Sequence, residues 1–188
     1  MSKEKMLEQA KEVKPSAVNV AYNENKARAE DDYLNKIIKI SGYVGKIETD
    51  YITISNFRIY LDADVLKSLN WADKITVVGK ITKMSSETND NSTTNVFEMK
   101  NAYFVESLSP IGNVVVNFTD HCLIKDVDTD VLIDVYFDSS ILGDIRQNDI
   151  ITIDGKITMK DSIPTYNTTS GSYTVYWEIK NAQLVQKD

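Results

Sequence analysis

The chain has 188 residues, 42% of them hydrophobic and 26% charged, and a formal net charge of -7. Those values fit one or two small globular domains with a packed core. They exclude a membrane-spanning helix, since no apolar run reaches about 18 residues, and an intrachain disulfide, since Cys122 is the only cysteine.

The charged stretch 1–15 is expected to be disordered and lacks the apolar run of a secretory signal. A complete chain implies a cytoplasmic protein; a trimmed leader implies the bacterial cell envelope. From Ser16 to Leu34, Val18, Tyr22, Lys26, Ala29 and Tyr33 recur at three- and four-residue steps, which predicts one helix capped by Ser16. Strands follow over Ile37 to Ile47, Tyr51–Ile54 and Phe57–Leu61, with Ser55-Asn56 as a hairpin turn. Asp64 is a candidate cap for a short helix presenting Val65, Leu66 and Leu69 on one face. A fourth strand runs from Ile75 to Thr82, a polar loop from Ser85 to Asn95, and a fifth strand from Val96 to Val105.

The plan then repeats. Asp73-Lys74-Ile75-Thr76-Val77-Val78-Gly79-Lys80-Ile81-Thr82 matches the ten residues from Asp149 to Thr158 at an offset of 76. Phe97-Glu98-Met99-Lys100-Asn101-Ala102 matches Trp177-Glu178-Ile179-Lys180-Asn181-Ala182 at an offset of 80. Collinear matches of this kind mark an internal duplication. The second copy reads as strands Val114–Phe118, Cys122–Lys125, Val131–Phe137, Ile150–Met159 and Tyr173–Val185, with a helix at Ser140–Ile145.

Five strands with a helix between the third and fourth is the order of an OB barrel, and that helix disfavours an SH3-like barrel. The fold class is therefore mainly β: two tandem OB-type five-stranded Greek-key barrels, each with a short helix between strands 3 and 4, plus an N-terminal α-helix. Domains are expected at 16–108 and 109–188, and the short link Ser109-Pro110-Ile111-Gly112 predicts a packed pair.

Tyr22, Asn25 and Ala29 on the helix, Ile40-Ser41-Gly42-Tyr43-Val44 in the first strand and Val77-Val78-Gly79 in the fourth carry a resemblance. Over roughly residues 17–106 the chain resembles the tRNA-anticodon-domain-like (tRNA_anti-like) family of OB-fold proteins, and the second copy matches only its later strands. The resemblance implies a barrel, and its members are described as nucleic-acid binders from their fold. Many resemble envelope or lipid-anchored proteins.

OB barrels bind ligands on strands two and three and the flanking loops. Tyr43, Lys46, Tyr51, Phe57, Arg58 and Tyr60 are the candidates in the first copy: aromatics beside cations suit stacked bases, and also suit barrel filling. In the second copy Asp134 stands at the position of Arg58, among other aspartates, which disfavours a phosphate backbone there. Tyr166 lies within, and Tyr173 directly after, a hydroxyl-rich loop, Asp161 to Ser172, that is either a ligand contact or a connector. Asp126-Val127-Asp128-Thr129-Asp130 begins like a calcium loop, but Val131 replaces the required glycine, so a solvated turn is the better reading. His121 and Cys122 are adjacent on a strand and so point to opposite faces.

No catalytic, metal or cofactor set emerges. The expected function is a non-enzymatic OB-fold binding module, with a protein or peptide partner favoured by the acidic balance. Single-stranded nucleic acid bound through the first barrel is the alternative.

Overall fold

The computed structural model describes residues 1–89, 92–129, 131–159, 165–167, 172–174 and 177–187. The chain divides into two compact units, Met1–Leu108 and Ser109–Asp188.

The first unit contains α1 (Lys3–Gln9), β1 (Lys11–Glu12), α2 (Pro15–Glu24), α3 (Lys26–Tyr33), β2 (Ile37–Ile47), β3 (Tyr51–Ile54), β4 (Phe57–Tyr60), α4 (Ala63–Ser68), β5 (Lys74–Asn89) and β6 (Ser92–Ser107). Its strands run β1-β2-β3-β4-β6-β5, and β5 also pairs with β2. That last pairing closes β2 to β6 into a five-stranded barrel. The β4–β6 pair is parallel while the other barrel pairs are antiparallel. This is the Greek-key order of an OB fold, with α4 between the third and fourth barrel strands.

Alternation along the strands fills the barrel. Ile38, Ile40, Ile52, Ile54, Phe57, Ile59, Ile75, Val77, Phe97 and Met99 are fully buried. Leu66 and Leu69 join the same core from the α4 region, and Val18, Tyr22 and Ala29 join it from α2 and α3. Tyr22 meets Phe97 edge-on at 5.4 Å between ring centroids, a favourable aromatic geometry.

Several local expectations change, the caps among them: Lys14 rather than Ser16 precedes α2, and Asp62 rather than Asp64 precedes α4. The predicted single helix breaks at Asn25, whose φ of -157° leaves helical space while its Oδ1 accepts the Arg28 N–H at 3.1 Å. Apolar periodicity runs through the break because both helices pack on one core. Residues 1–15 are structured: α1 buries Met6, and β1 pairs in parallel with β2. The Ser85–Asn95 segment extends the β5–β6 ladder through Ser85↔Val96 out to Asn89↔Ser92, where a loop was expected. No face of this arm alternates strongly in hydrophobicity, so its strand character is hidden in sequence. Polar bonds hold it instead, including Thr88 to Thr93 hydroxyls at 3.1 Å and Ser86 Oγ to Asn95 Oδ1 at 2.9 Å.

The second unit contains β7 (Ile111–Asn117), β8 (Cys122–Asp126), β9 (Leu132–Val135), α5 (Ser139–Leu142), β10 (Ile150–Asp154), β11 (Ile157–Met159), β12 (Thr165–Asn167), β13 (Ser172–Thr174), β14 (Trp177–Ile179) and β15 (Gln183–Lys187). Its main sheet runs β11-β14-β9-β8-β7-β10-β15, and β10 pairs with both β7 and β15. Strands four and five are each split, into β10/β11 and β14/β15, but the order and the parallel β9–β14 pair repeat the first barrel.

Matching details recur in both units. Ala72 and Asn148 have φ of 67° and 75°, and Asn101 and Asn181 have φ of 51° and 53°. Asp73 Oδ2 accepts the Asn70 N–H at 2.7 Å, and Asp149 Oδ2 accepts the Arg146 N–H at the same distance. A Cβ on Gly79 would lie 2.6 Å from Met99, and one on Gly155 would lie 2.3 Å from Ile179. These contacts explain why both fourth strands carry glycine where the fifth strand crosses closely.

Register also extends the repeat into strands one and two. Gly42 closes on Ile54 as Gly112 closes on Ile124, and Val44 N–H bonds Asp73 O as Val114 N–H bonds Asp149 O. That places Tyr51 on His121 and Ile52 on Cys122, an offset of 70. The change to 76 falls in the second barrel's longer β8–β9 turn, where buried Asp126 Oδ1 accepts the Asp128 N–H, the Thr129 N–H and the Thr129 hydroxyl within 3.1 Å.

Candidate functional site

Side chains alternate across β3 and β4, so Ile52, Ile54, Phe57 and Ile59 point into the barrel and Tyr51, Thr53, Arg58 and Tyr60 point out. The register Tyr51↔Tyr60 and Thr53↔Arg58 places the outward four side by side. The two tyrosine rings lie 5.5 Å apart at a tilt of 48°. Arg58 sits 6.0 Å from the Tyr51 ring centre, and Lys100 of β6 sits 5.4 Å from that of Tyr60. Each tyrosine is thus topped by a cation, at cation–π distance.

Carboxylates balance those cations. Arg58 donates two bonds to Glu87 on the β5 arm, at 2.8 and 2.7 Å, and both side chains stay about one-third exposed. The bridge pins the arm against the strand face. It raises the Arg58 pKa and holds the Glu87 carboxyl below the usual carboxylate range. Glu98 lies opposite Arg58 in the β4–β6 register and takes Lys83 at 3.2 Å and Lys100 at 3.8 Å. Lys46, near the end of β2, pairs with Glu48, and that hydrogen bond pushes the ammonium pKa up. Burial, and after it the nearby Glu98 charge, push the Tyr60 phenol up, so Tyr60 enters neutral-pH chemistry as a neutral ring.

Tyr51, Arg58 and Tyr60 are therefore brought together, with Lys46 at the end of the strand beside them. Phe57 is not part of the face. It is fully buried, 5.2 Å from the Phe97 ring, because its place in the alternation points inward. Tyr43 is also removed from the face: it is 6% exposed at the β2–β5 seam, opposite Lys74 in register and 6.0 Å from its ammonium. Tyr166 and Tyr173 oppose each other in the β12–β13 ribbon, and their side chains lie outside the described residues.

Sequence reasoning missed Lys100, Glu98 and Glu87. Glu98 and Lys100 could have been found, since both are outward positions of a strand already matched between copies. Glu87 carried no such signal, because its segment read as a loop.

The resemblance motif proves structural. Tyr22 and Ala29 are core residues and Asn25 is a helix cap. A second polar cluster ties α2 to the arm: Asn95 Nδ2 donates to Asn19 and Asn23 at 2.9 and 2.7 Å, while Asn56 Nδ2 donates to the Asn95 carbonyl at 2.9 Å.

The second barrel carries a different surface at the same place. Phe118, His121 and Tyr136 form a near-parallel column, with centroid spacings of 4.4 and 4.9 Å and tilts of 16° and 23°. His121 Nδ1 is 2.7 Å from Asp120, and Nε2 is 3.7 Å from Asp134. Cys122 points the other way, as strand alternation requires, and burial followed by the Asp134 charge pushes its thiol up to about 12. A buried, protonated thiol facing away from the imidazole cannot act as its nucleophilic partner.

No known family's sequence pattern matches the chain, and no curated protein matches it. Among solved structures, it is similar to a deletion mutant of the single-stranded DNA binding protein from Thermus aquaticus. Identity is 10% and the TM-score is 0.29, over 81% of this chain and 83% of that one.

Proposed function

We propose that the first barrel binds single-stranded nucleic acid across β3 and β4. The observation that carries this reading is the Tyr51–Tyr60 pair with Arg58 and Lys100 over its rings. Bases stack on such rings without regard to sequence, and the flanking cations meet phosphates. The unit's charge supports it as well. Residues through Leu108 hold 15 basic and 16 acidic side chains, whereas the remainder holds 6 and 12. The acidic balance that argues for a polypeptide partner thus resides in the second barrel. The tRNA-anticodon-domain-like kinship belongs to this proposal too, as the family in which such a barrel would fall.

Fluorescence anisotropy with labelled single-stranded DNA and RNA tests the reading. Binding is expected to weaken steeply with salt. Tyr51→Ala is expected to cost about 1–3 kcal/mol of affinity, the worth of one stacked base. Absence of binding at low salt, or unchanged binding in both Tyr51→Ala and Arg58→Ala, would remove the proposal.

A further inference from the structure

The cations on the outer face of the first barrel each meet a carboxylate, but those carboxylates are held differently. Glu98, on β6, is shared by Lys83 at 3.2 Å and Lys100 at 3.8 Å, and its side chain is 12% exposed. Glu87 stands on the β5 arm, is 37% exposed, and takes Arg58 through both oxygens at 2.8 and 2.7 Å. The guanidinium it holds lies 6.0 Å from the Tyr51 ring centre, beside the surface on which a base would stack. The arm is fixed on either side of Glu87. Ser86 Oγ accepts from Lys26 Nζ at 3.1 Å and bonds Asn95 Oδ1 at 2.9 Å, while the Thr88 and Thr93 hydroxyls meet at 3.1 Å. Asn95 in turn donates to Asn19 and Asn23 of α2. An anchored hairpin therefore delivers Glu87 to Arg58, and release of the fork requires only a turn of the Glu87 side chain between its rotamers.

We infer that the Glu87 carboxylate is a built-in competitor for phosphate at Arg58, occupying the guanidinium fork until a phosphate of the bound strand takes its place. The inference rests on the nucleic-acid face proposed above and adds how that face is held in check. A carboxylate and a phosphodiester each present two oxygens to the fork, so Arg58 serves one of them at a time. A displaced Glu87 also leaves a like charge near the incoming phosphate, which opposes binding a second time. Exposure makes Glu87, rather than Glu98, the exchangeable partner: an ion pair open to water is weak and gives way readily. Glu98 is nearly covered and serves two lysines. The competitor favours strands over lone phosphates, because a strand that also stacks on Tyr51 and Tyr60 brings the additional binding that opens the fork.

The test is fluorescence anisotropy of the full chain with a labelled oligodeoxythymidylate at low salt. Glu87→Gln and Glu87→Ala are each expected to bind about fivefold more tightly than the parent chain, a gain that shrinks as salt is added. Glu106→Gln removes the same charge eight residues beyond Glu98 along β6, roughly 26 Å away, and is expected to bind as the parent does. Arg58→Ala still binds through Tyr51, Tyr60 and Lys100, but more weakly, and in that background Glu87→Gln is expected to add nothing. The inference is overturned if neither Glu87 variant binds more tightly, if Glu106→Gln gains as much, or if the gain persists in Arg58→Ala. With the parent chain bound, any of these results removes the competitor and leaves the nucleic-acid face standing. Absence of binding by the parent and by both Glu87 variants removes the face and the competitor together.

Discussion

The two barrels share strand order, close glycine contacts, positive-φ asparagines and the same carboxylate cap before strand four, yet the outer face of strands two and three differs. In the first barrel, two tyrosines lie under two cations and an arm is pinned by Arg58 and Glu87. In the second, His121 replaces Tyr51, Asp134 replaces Arg58, and Phe118 extends the stack. The difference teaches that two units of one plan agree in what packs inward and diverge in what points outward. Inward positions are constrained by volume at crystal-like density, whereas one outward substitution can invert a surface's charge with the fold intact.

The largest expected effect tests the inward half of that comparison. Phe57→Ala empties a fully buried site and is expected to cost about 3–5 kcal/mol in urea denaturation. A loss of nucleic-acid binding with native stability would instead return Phe57 to the ligand face. Gly79→Ala and Gly155→Ala come next, at about 1–3 kcal/mol each, because an added methyl collides with the fifth strand in either barrel. Equal penalties would support equivalence of the two crossings, and a neutral result at either would break it.

The smallest effect is electrostatic. Glu87 in the first barrel is held below the usual carboxylate range by Arg58; Asp149 in the second is held down first by the Arg146 N–H and then by Lys187. A lowered folded-state pKa means each contribution is complete above that range and is lost as pH falls through the lowered value. Glu87→Gln should therefore lower stability slightly at neutral pH, leave it unchanged once the pH is below the lowered value, and so flatten part of the acid limb of thermal stability. Both groups are solvent-accessible, so added salt should shrink the difference.

The strands and the helix before strand four were legible because they rest on alternation and on Gly79 and Gly155, whose neighbours recur at fixed spacing. The match of Tyr51 with His121 was not legible. The longer β8–β9 turn shifts the register from 70 to 76, and only scattered identities, such as Gly42 with Gly112, Val44 with Val114, Asp50 with Asp120 and Ile54 with Ile124, remain to mark the earlier strands. The arm was hidden for a different reason. Its ladder is held by hydroxyls and amides away from the core, which leaves no hydrophobic period to read. On the candidate face, alternation separates Tyr51, Arg58 and Tyr60 from Phe57, a distinction available to a strict period-two reading. The Arg58–Glu87 bridge is a contact 29 residues apart in sequence and needed the fold.

Photocrosslinking tests the divergence of the two faces most directly. The full chain is irradiated with single-stranded DNA carrying 5-iodouracil, and the crosslinked peptides are identified by mass spectrometry. Crosslinks are expected at Tyr51 or Tyr60 and should disappear in Arg58→Asp, which gives the first barrel the second's charge. Crosslinks at His121 or Tyr136, or equal yields from both barrels, would contradict the account.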